Sequence, residues 1–509
     1  MKKHAILFSV YDTISPILGN VIVNRNPGAH RIATFLREKN WDVEVIDFVT
    51  RWTLEEIQEL VRSRVNAQTV FFGFSSMFSH WTDNLNDFTA WLKQTYSHIP
   101  TVRGGNSVLA VDAKNIDYWI DGYGEMAILA LAQYLGNSGS PPLKFDVAWF
   151  GSRKVIKALH AYPAYPMPSY SIRFEHRDFV KDYEWATFEF SRGCKFKCSF
   201  CNYPILGVKE DHTASVQSAD HDLRYNYDNF GIKNYYVVDE TFNDSVSKIK
   251  KYADVVESLP FRPFFSGYQR VDLLINHPES WQHLVRMNFG GQYYGVESFN
   301  HQSVKAIGKG MHPDRVKQGL LDIKKYFLNS DIDFYRGNLS FIIGLPHETE
   351  ASVKDARDWL LENWMDQSAS AQVLHLIDPE SSQYHTNISE FTRNLYNNNR
   401  FRRMPDTTDL PSFAHQQVLP FHEGQHGIIW EHDSMNLPQA MKILDNWRNH
   451  ITSKVKIDNW KLHVPFFSAQ NRDLPWQNVE AFKKIDVVNI DSNTVNEFLA
   501  EYKHKKLSL

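Results

Sequence analysis

The sequence predicts an α/β protein in two units, a doubly wound parallel sheet followed by a partial parallel barrel, with an accessory region at the C-terminus. Three observations carry that prediction. Residues 1–137 alternate apolar strand-like runs with amphipathic stretches, and a second alternating series starts near Trp185. Strands that alternate with helices form parallel sheets covered on both faces. The breaks of the first series are rich in Gly and Ser at equivalent strand ends, and all 3 cysteines fall in one loop of the second.

With 509 residues the chain suits about three domains, each able to bury its own core. Its net charge of −4, with both signs interspersed, offers no basic field that argues for nucleic acid. The run His4–Val10 is too short for a signal peptide and reads as a first strand. No apolar run reaches about eighteen residues, so no membrane span is expected. Three cysteines in one loop do not build a disulfide framework, which points to a reducing, cytoplasmic setting.

The first unit, 1–137, takes strands at His4–Val10, Trp41–Phe48 and Thr69–Phe74, a short one ending at Arg103, and one at Ile116–Ile120. Helices are expected over Gly28–Lys39, Thr53–Val65, Asp83–Ser97 and Glu125–Leu135. Thr53 and Glu56 stand at capping-box spacing. The strand ends carry Asn26–His30, Gly73–Ser76, Gly104–Asn106 and Gly122–Glu125. Small residues there let a ligand approach the backbone, as at the carboxyl ends of doubly wound sheets. Residues 138–185 start in a turn-rich break at Asn137–Pro142, hold Pro163, Pro166 and Pro168 close together, and read as an extended linker.

The second unit, 186–380, takes strands at Ala186–Ser191, Lys233–Asp239, Pro263–Arg270, Gln292–Ser298, Asn338–Gly344 and Ala371–Ile377. The first delivers Cys194, Cys198 and Cys201 at its carboxyl end, where barrel enzymes place their sites. Thiolates at this spacing suit an iron or zinc centre. Zinc needs a fourth protein ligand, whereas a cubane cluster on three thiolates leaves one iron open for a small molecule. Three ordinary thiols, or a Cys3His zinc site, are the other readings of the same loop.

Cys-x3-Cys-x-aromatic-Cys, with Phe200 as the aromatic, resembles the signature of the radical S-adenosylmethionine superfamily. The resemblance implies a 4Fe-4S cluster on Cys194, Cys198 and Cys201. It implies S-adenosylmethionine on the open iron, and an external electron donor of the flavodoxin or ferredoxin type. It extends to Asp239-Glu240-x-Phe242 after the second strand, whose carboxylates would accept hydrogen bonds from the ammonium group of S-adenosylmethionine; the alternative is that Glu240 caps the next helix. Arg270 would orient the cofactor carboxylate or pair with a neighbouring acid. Glu297, in Gly295-Val-Glu-Ser298, would lie near the ribose, a polar ligand being the better account of its burial. Gly344 would let adenine pack on the fifth strand. His347 stands where the family has a second glycine, and His tolerates positive φ better than most residues.

The first unit then resembles the flavodoxin-like cobalamin-binding domain that precedes the TIM-type (β/α)6 partial barrel in one class of the superfamily. Gly28, Ser75, Ser76, Gly104, Gly105, Gly124 and Glu125 would line the cobalamin face. The Asp-x-His-x-x-Gly motif of cobalamin mutases is absent. A sheet that kept its shape and binds nothing, or another ligand, is the alternative. With no cysteine to spare, one cluster is expected, unlike methylthiotransferases with their additional clusters. The implied activity is cobalamin-dependent methylation of an unactivated carbon. Direct use of the 5′-deoxyadenosyl radical, and a zinc-binding interaction protein, are the competing functions.

Residues 381–509 form the accessory region. His415, His422, His426 and His432 lie close together, but their spacings fit no single helix face and no familiar ligand pattern; they read better as groups over the barrel mouth. Leu437–His450 and Val495–Lys503 read as amphipathic helices.

Overall fold

The computed structural model describes residues 2–10, 13–17, 20–25, 27–76, 81–105, 113–136, 147–150, 153–157, 172–182, 184–201, 212–376, 401–405, 408, 420–422, 425–426, 428–455 and 492–509. Two parallel sheets organise it, as the alternation of strand and helix patterns predicts.

The first sheet starts from β1 (His4–Ser9), a strand buried along its whole length. A hairpin, β2 (Thr13–Ile17) and β3 (Asn20–Asn24), then leaves this sheet for the second. The chain returns through α1 (Pro27–Glu38), β4 (Asp42–Ile46) and α2 (Leu54–Arg64). The start of α2 is fixed by Thr53, whose hydroxyl accepts from Glu56 N–H while the Glu56 carboxylate accepts from Thr53 N–H at 2.8 Å. β5 (Thr69–Ser75), α3 (Asp83–Thr95), β6 (Thr101–Gly104), β7 (Tyr118–Asp121) and α4 (Glu125–Gly136) follow. The linker expected over 138–185 adds two further strands, β8 (Val147–Phe150) and β9 (Arg153–Lys157), giving the order β4-β1-β5-β6-β7-β9-β8. Pro163, Pro166 and Pro168 lie outside the described residues.

The second sheet begins with β10 (Trp185–Phe188). Short strands β11 (Ser191–Arg192) and β12 (His212–Thr213) pair antiparallel and pin together the two ends of the cysteine-bearing segment. Then come α5 (Val216–Phe230), β13 (Asn234–Val237), α6 (Val246–Glu257), β14 (Phe264–Gln269), α7 (Val271–Asn276) and α8 (Trp281–Arg286). β15 (Phe289–Glu297), α9 (His301–Ala306), α10 (Pro313–Leu328), β16 (Arg336–Ile343), α11 (Glu350–Asn363) and β17 (Ser368–Val373) complete the barrel series. The order is β17-β16-β15-β14-β13-β10-β3-β2, parallel from β17 through β3. The first unit therefore completes the second unit's sheet, and β2, which holds Pro16, is its edge strand, where a missing N–H is tolerated.

Two C-terminal helices close the molecule. α12 (Leu437–Val455) covers the barrel edge, with Trp447 against Phe341. α13 (Ser492–Ser508) returns to the first unit. There the fully buried Lys506 ammonium donates to Glu44 at 2.6 Å and to Val45 O at 2.7 Å, and Tyr502 accepts from Asp47 N–H at 3.0 Å. Buried Arg25, just past β3, binds Asp47 and Glu184 and so ties the hairpin to the segment before β10. Among the described residues no helix is long and apolar enough to cross a membrane.

Candidate active site

The three thiols follow β10, at the carboxyl ends of the barrel strands. Each is partly exposed and free of disulfide bonding. The loop is held by its backbone and its neighbours: Cys201 N–H donates to Cys198 O at 3.0 Å, Ser199 N–H to Ile307 O at 3.2 Å, and the Lys195 ammonium to Asp244 O at 2.7 Å. Polar groups face the sulfurs. Thr241 Oγ1 lies 3.2 Å from Cys194 Sγ, and Arg270 Nη1 donates to Cys198 Sγ at 3.4 Å. Phe200 packs on the barrel core. Among the described residues no group of three His, Cys, Asp or Glu side chains is closed around a common centre. The donor set nevertheless suits an iron–sulfur ligand loop, three thiols outside any disulfide with the Arg270 guanidinium aimed at one sulfur.

The two carboxylates after β13 have different jobs. Asp239 is 1% exposed and accepts from Phe190 N–H at 2.8 Å and Ser191 Oγ at 2.6 Å. Burial pushes its carboxyl up to about 7, against the opposing pull of Lys248. It therefore fixes the turn from β10 into the cysteine loop instead of facing the mouth. Glu240 is half-exposed and accepts from Gly193 N–H at 2.9 Å, one residue before Cys194. Its other oxygen accepts from the Tyr123 hydroxyl, also at 2.9 Å, across from the first unit. Glu240 does not cap α6, whose N-cap is Ser245.

Arg270 settles into the second of its two expected roles. Asp272 holds its guanidinium at 2.7 and 3.1 Å, and the Phe196 ring lies 3.8 Å beneath it. The partner that Glu297's burial demands is the chain's own Lys309, at 2.9 Å, where a polar ligand was expected. Glu297 also sits at φ 67 beside a register shift in β15, and a left-handed acid at a sheet end is a strain found where side chains are re-aimed. His347 adopts φ 67, as its place in the turn predicts. Gly344, at φ 99, is needed for packing within the protein: a Cβ there would lie 2.3 Å from the Trp430 indole. The space above Gly344, where adenine was expected, is thus filled by Trp430 of the accessory region. Glu348 braces this rim, accepting from Ser298 Oγ at 2.7 Å and Gly344 N–H at 2.8 Å.

In the first unit, Ser75 and Ser76 end β5, and Gly104 and Gly105 end β6. A Cβ on Gly104 would meet no atom of the described residues within 4 Å, and Gly105 takes φ 134, so among those residues nothing keeps a ligand from the backbone of this edge. Ser76 is turned inward and accepts from Arg103 Nε at 2.7 Å. Gly28 lies in the first turn of α1, and a Cβ on Gly124 would make only ordinary contacts. Glu125 is buried, bound by Arg192 at 2.5 Å and Arg31 at 3.2 Å, which hold its carboxyl down at about 2. Both arginines bind the same oxygen, Oε1, and make Glu125 an inter-unit clamp, while its Oε2 is buried without a hydrogen-bond partner among the described residues. Arg192 also lies 4.5 Å over the Tyr123 ring.

His432 is buried against Phe401 and Trp430, and burial pushes its imidazole down to about 4. His415 lies outside the described residues, as do the side chains of His422 and His426. A cavity of about 300 Å³, lined by His176, Lys181, Phe230 and Lys505 among others, sits at the amino ends of the barrel strands, away from the cysteine loop. Sequence reasoning missed Tyr123, Arg192, Thr241 and Lys309; the first three stood inside flagged stretches, at a glycine-rich strand end, before the cysteines and between Glu240 and Phe242.

Residues 188–360 match the family model of the radical SAM superfamily, so the chain carries a radical S-adenosylmethionine domain running from β10 into α11. An uncharacterized methyltransferase of Pyrococcus horikoshii is 26% identical over 199 residues, 38% of this chain and 41% of that protein. A ribosomal protein uS12 methylthiotransferase, RimO, of Bdellovibrio bacteriovorus is 21% identical over 235 residues, 41% of this chain and 50% of that protein. The matches thus span half or less of these curated relatives. Two solved structures share the fold over most of the chain. TsrM of Kitasatospora setae, a radical S-adenosylmethionine methyltransferase with cobalamin and a [4Fe-4S] cluster bound, superposes with TM-score 0.58 at 14% identity, covering 95% of this chain and 99% of that one. OxsB, a cobalamin-dependent S-adenosylmethionine radical enzyme with aqua-cobalamin bound, gives 0.57 at 15% identity, covering 99% and 80%.

Proposed function

We propose that the chain is a radical S-adenosylmethionine enzyme with one 4Fe-4S cluster that methylates an unactivated carbon with the help of cobalamin. The observation that carries this reading is the placement of the barrel's cysteine loop against the ligand edge of the first unit's doubly wound sheet, joined to it by Tyr123–Glu240 and Arg192–Glu125. Cys194, Cys198 and Cys201 hold the cluster. Glu240 offers a carboxylate to the ammonium group of S-adenosylmethionine, and Ser75, Gly104 and Gly105 flank cobalamin. These groups supply electron transfer to a sulfonium and methyl carriage, chemistry that side chains lack.

The chain's own part is positional and electrostatic. Arg270 places a donor at the sulfur of Cys198, and a hydrogen bond to ligating sulfur raises a cluster's reduction potential; Thr241 Oγ1 lies beside Cys194 but donates its proton to Glu240 O. Asp239 and the β11–β12 pair fix the path of the loop. Reducing equivalents come from an external donor of the flavodoxin or ferredoxin type. The test is S-adenosylmethionine cleavage by the anaerobically reconstituted, dithionite-reduced protein. The wild type cleaves it and Cys198→Ala does not; equal turnover by both defeats the proposal.

A further inference from the structure

The inner face of the barrel strands carries chemistry that the site above leaves unused. Successive residues of a strand face opposite sides of the sheet. On β14 to β17 one set, including Phe265, Tyr294, Leu339 and Val373, is buried in the core under the helices. The opposite set is buried in part, at Phe264, Ser266 and Ile342, and in part comes to the surface. Tyr268 is 45% exposed between buried Gly267 and Gln269, and Tyr236, Tyr293, Ser340 and Ser370 are half-exposed.

These side chains form an ordered wall. The Tyr268 ring lies 6.3 Å from Tyr236 and 5.0 Å from Tyr293, each at 62°, so the three rings stand edge to face. Ser370 fixes the Tyr293 hydroxyl at 2.6 Å and accepts from Asn338 Nδ2 at 3.2 Å. The Tyr268 hydroxyl makes no hydrogen bond among the described residues. Among the described residues the polar groups that this wall exposes are neutral. The ionised groups at its rim are already committed, Glu297 to Lys309 and Arg270 to Asp272, and Arg336 near its floor is 2% exposed. Tyr268 lies two residues before Arg270, whose guanidinium touches Cys198, so the wall leads up to the cysteine loop.

We infer that this tyrosine wall is the substrate-binding surface, and that it takes an uncharged, planar ring compound bearing a hydrogen-bonding group. The inference rests on the proposed enzymatic reading. Edge-to-face tyrosines offer a flat ring an apolar slot, and such pairings reward aromatic over saturated rings by about three- to tenfold. Serine, asparagine and tyrosine oxygens bind a neutral amide or hydroxyl. A charge buried there finds no opposite charge to offset its lost hydration.

Four probes of matched shape test it against the reconstituted protein with its cluster oxidised, by saturation-transfer NMR titration: benzamide, cyclohexanecarboxamide, benzoate and benzamidine. Benzamide binds about three- to tenfold tighter than each of the others. Tyr268→Leu abolishes that preference at an unchanged unfolding temperature, and Tyr326→Leu, an exposed tyrosine on α10, retains it. Equal affinities, a preference for either ion, an indifferent Tyr268→Leu protein or no binding by any probe overturns the inference. S-adenosylmethionine cleavage is measured on the same preparation. Cleavage without ring selectivity removes this inference alone, and selectivity without cleavage removes the enzymatic reading while the surface stands.

Discussion

The Tyr123–Glu240 hydrogen bond is the sharpest test of how the two units are joined. A phenol donating to a carboxylate at 2.9 Å is a charge-assisted bond, and burial pushes the Tyr123 phenol well above its ordinary pKa, so it stays a donor at any working pH. Such bonds contribute about 1.5–3 kcal/mol, and half-exposed Glu240 places this one near the lower bound. Tyr123→Phe, Glu240→Gln and the double variant close a thermodynamic cycle. Urea unfolding of the full-length apoprotein, followed by tryptophan fluorescence under reducing conditions, gives the three stability changes. The expected coupling is about 1.5 kcal/mol, and additivity within about 0.3 kcal/mol refutes the contact. Because the second Glu240 oxygen holds Gly193 N–H, Glu240→Gln also speeds hydrogen exchange at the amide next to Cys194.

Three further outcomes follow from the geometry. Gly344→Ala combines a left-handed Cβ with a 2.3 Å contact to Trp430 and costs about 3 kcal/mol or more, whereas Gly104→Ala leaves the apoprotein stability within about 0.5 kcal/mol and weakens corrin binding; unfolding midpoints and corrin titrations check both. Burial raises the Glu348 carboxyl from 4.5 to about 7, so the folded state holds its proton more tightly than the unfolded state. Its stabilisation is full below about pH 4.5 and falls by up to about 3 kcal/mol as pH rises to about 7, so wild type minus Glu348→Gln in unfolding free energy declines across that window. Lys506→Met leaves Glu44 buried without its ammonium and lowers stability by about 3 kcal/mol, read as a shifted urea midpoint with the slope unchanged.

What was legible in the sequence is what local physics decides. The Thr53–Glu56 capping box, the αL turn at His347 and the cysteine spacing each depend on a few adjacent residues, and each is in place. The ordered strand ends placed Glu240, Arg270 and Glu297 around one mouth for the same reason. Destinations were not legible. Residues 13–24 carry no predicted element, and the fold makes them a hairpin that pairs with β10. The packing of Trp430 on Gly344 and of Lys506 on Glu44 joins residues far apart in the chain, so no window of periodicity contains it. Asp239 and Glu240 are adjacent and of like charge, and the structure separates them because one turns under the loop and the other toward Tyr123.

The central claim is that both units bind cofactors, and cobalamin retention tests it most directly. The chain is reconstituted anaerobically with iron and sulfide, given hydroxocobalamin and desalted, and the corrin-to-protein ratio is read from its absorption after subtracting the cluster. The account predicts a ratio near one. A ratio near zero with an intact cluster would contradict it and leave an enzyme that uses the 5′-deoxyadenosyl radical directly, its first unit serving as scaffold.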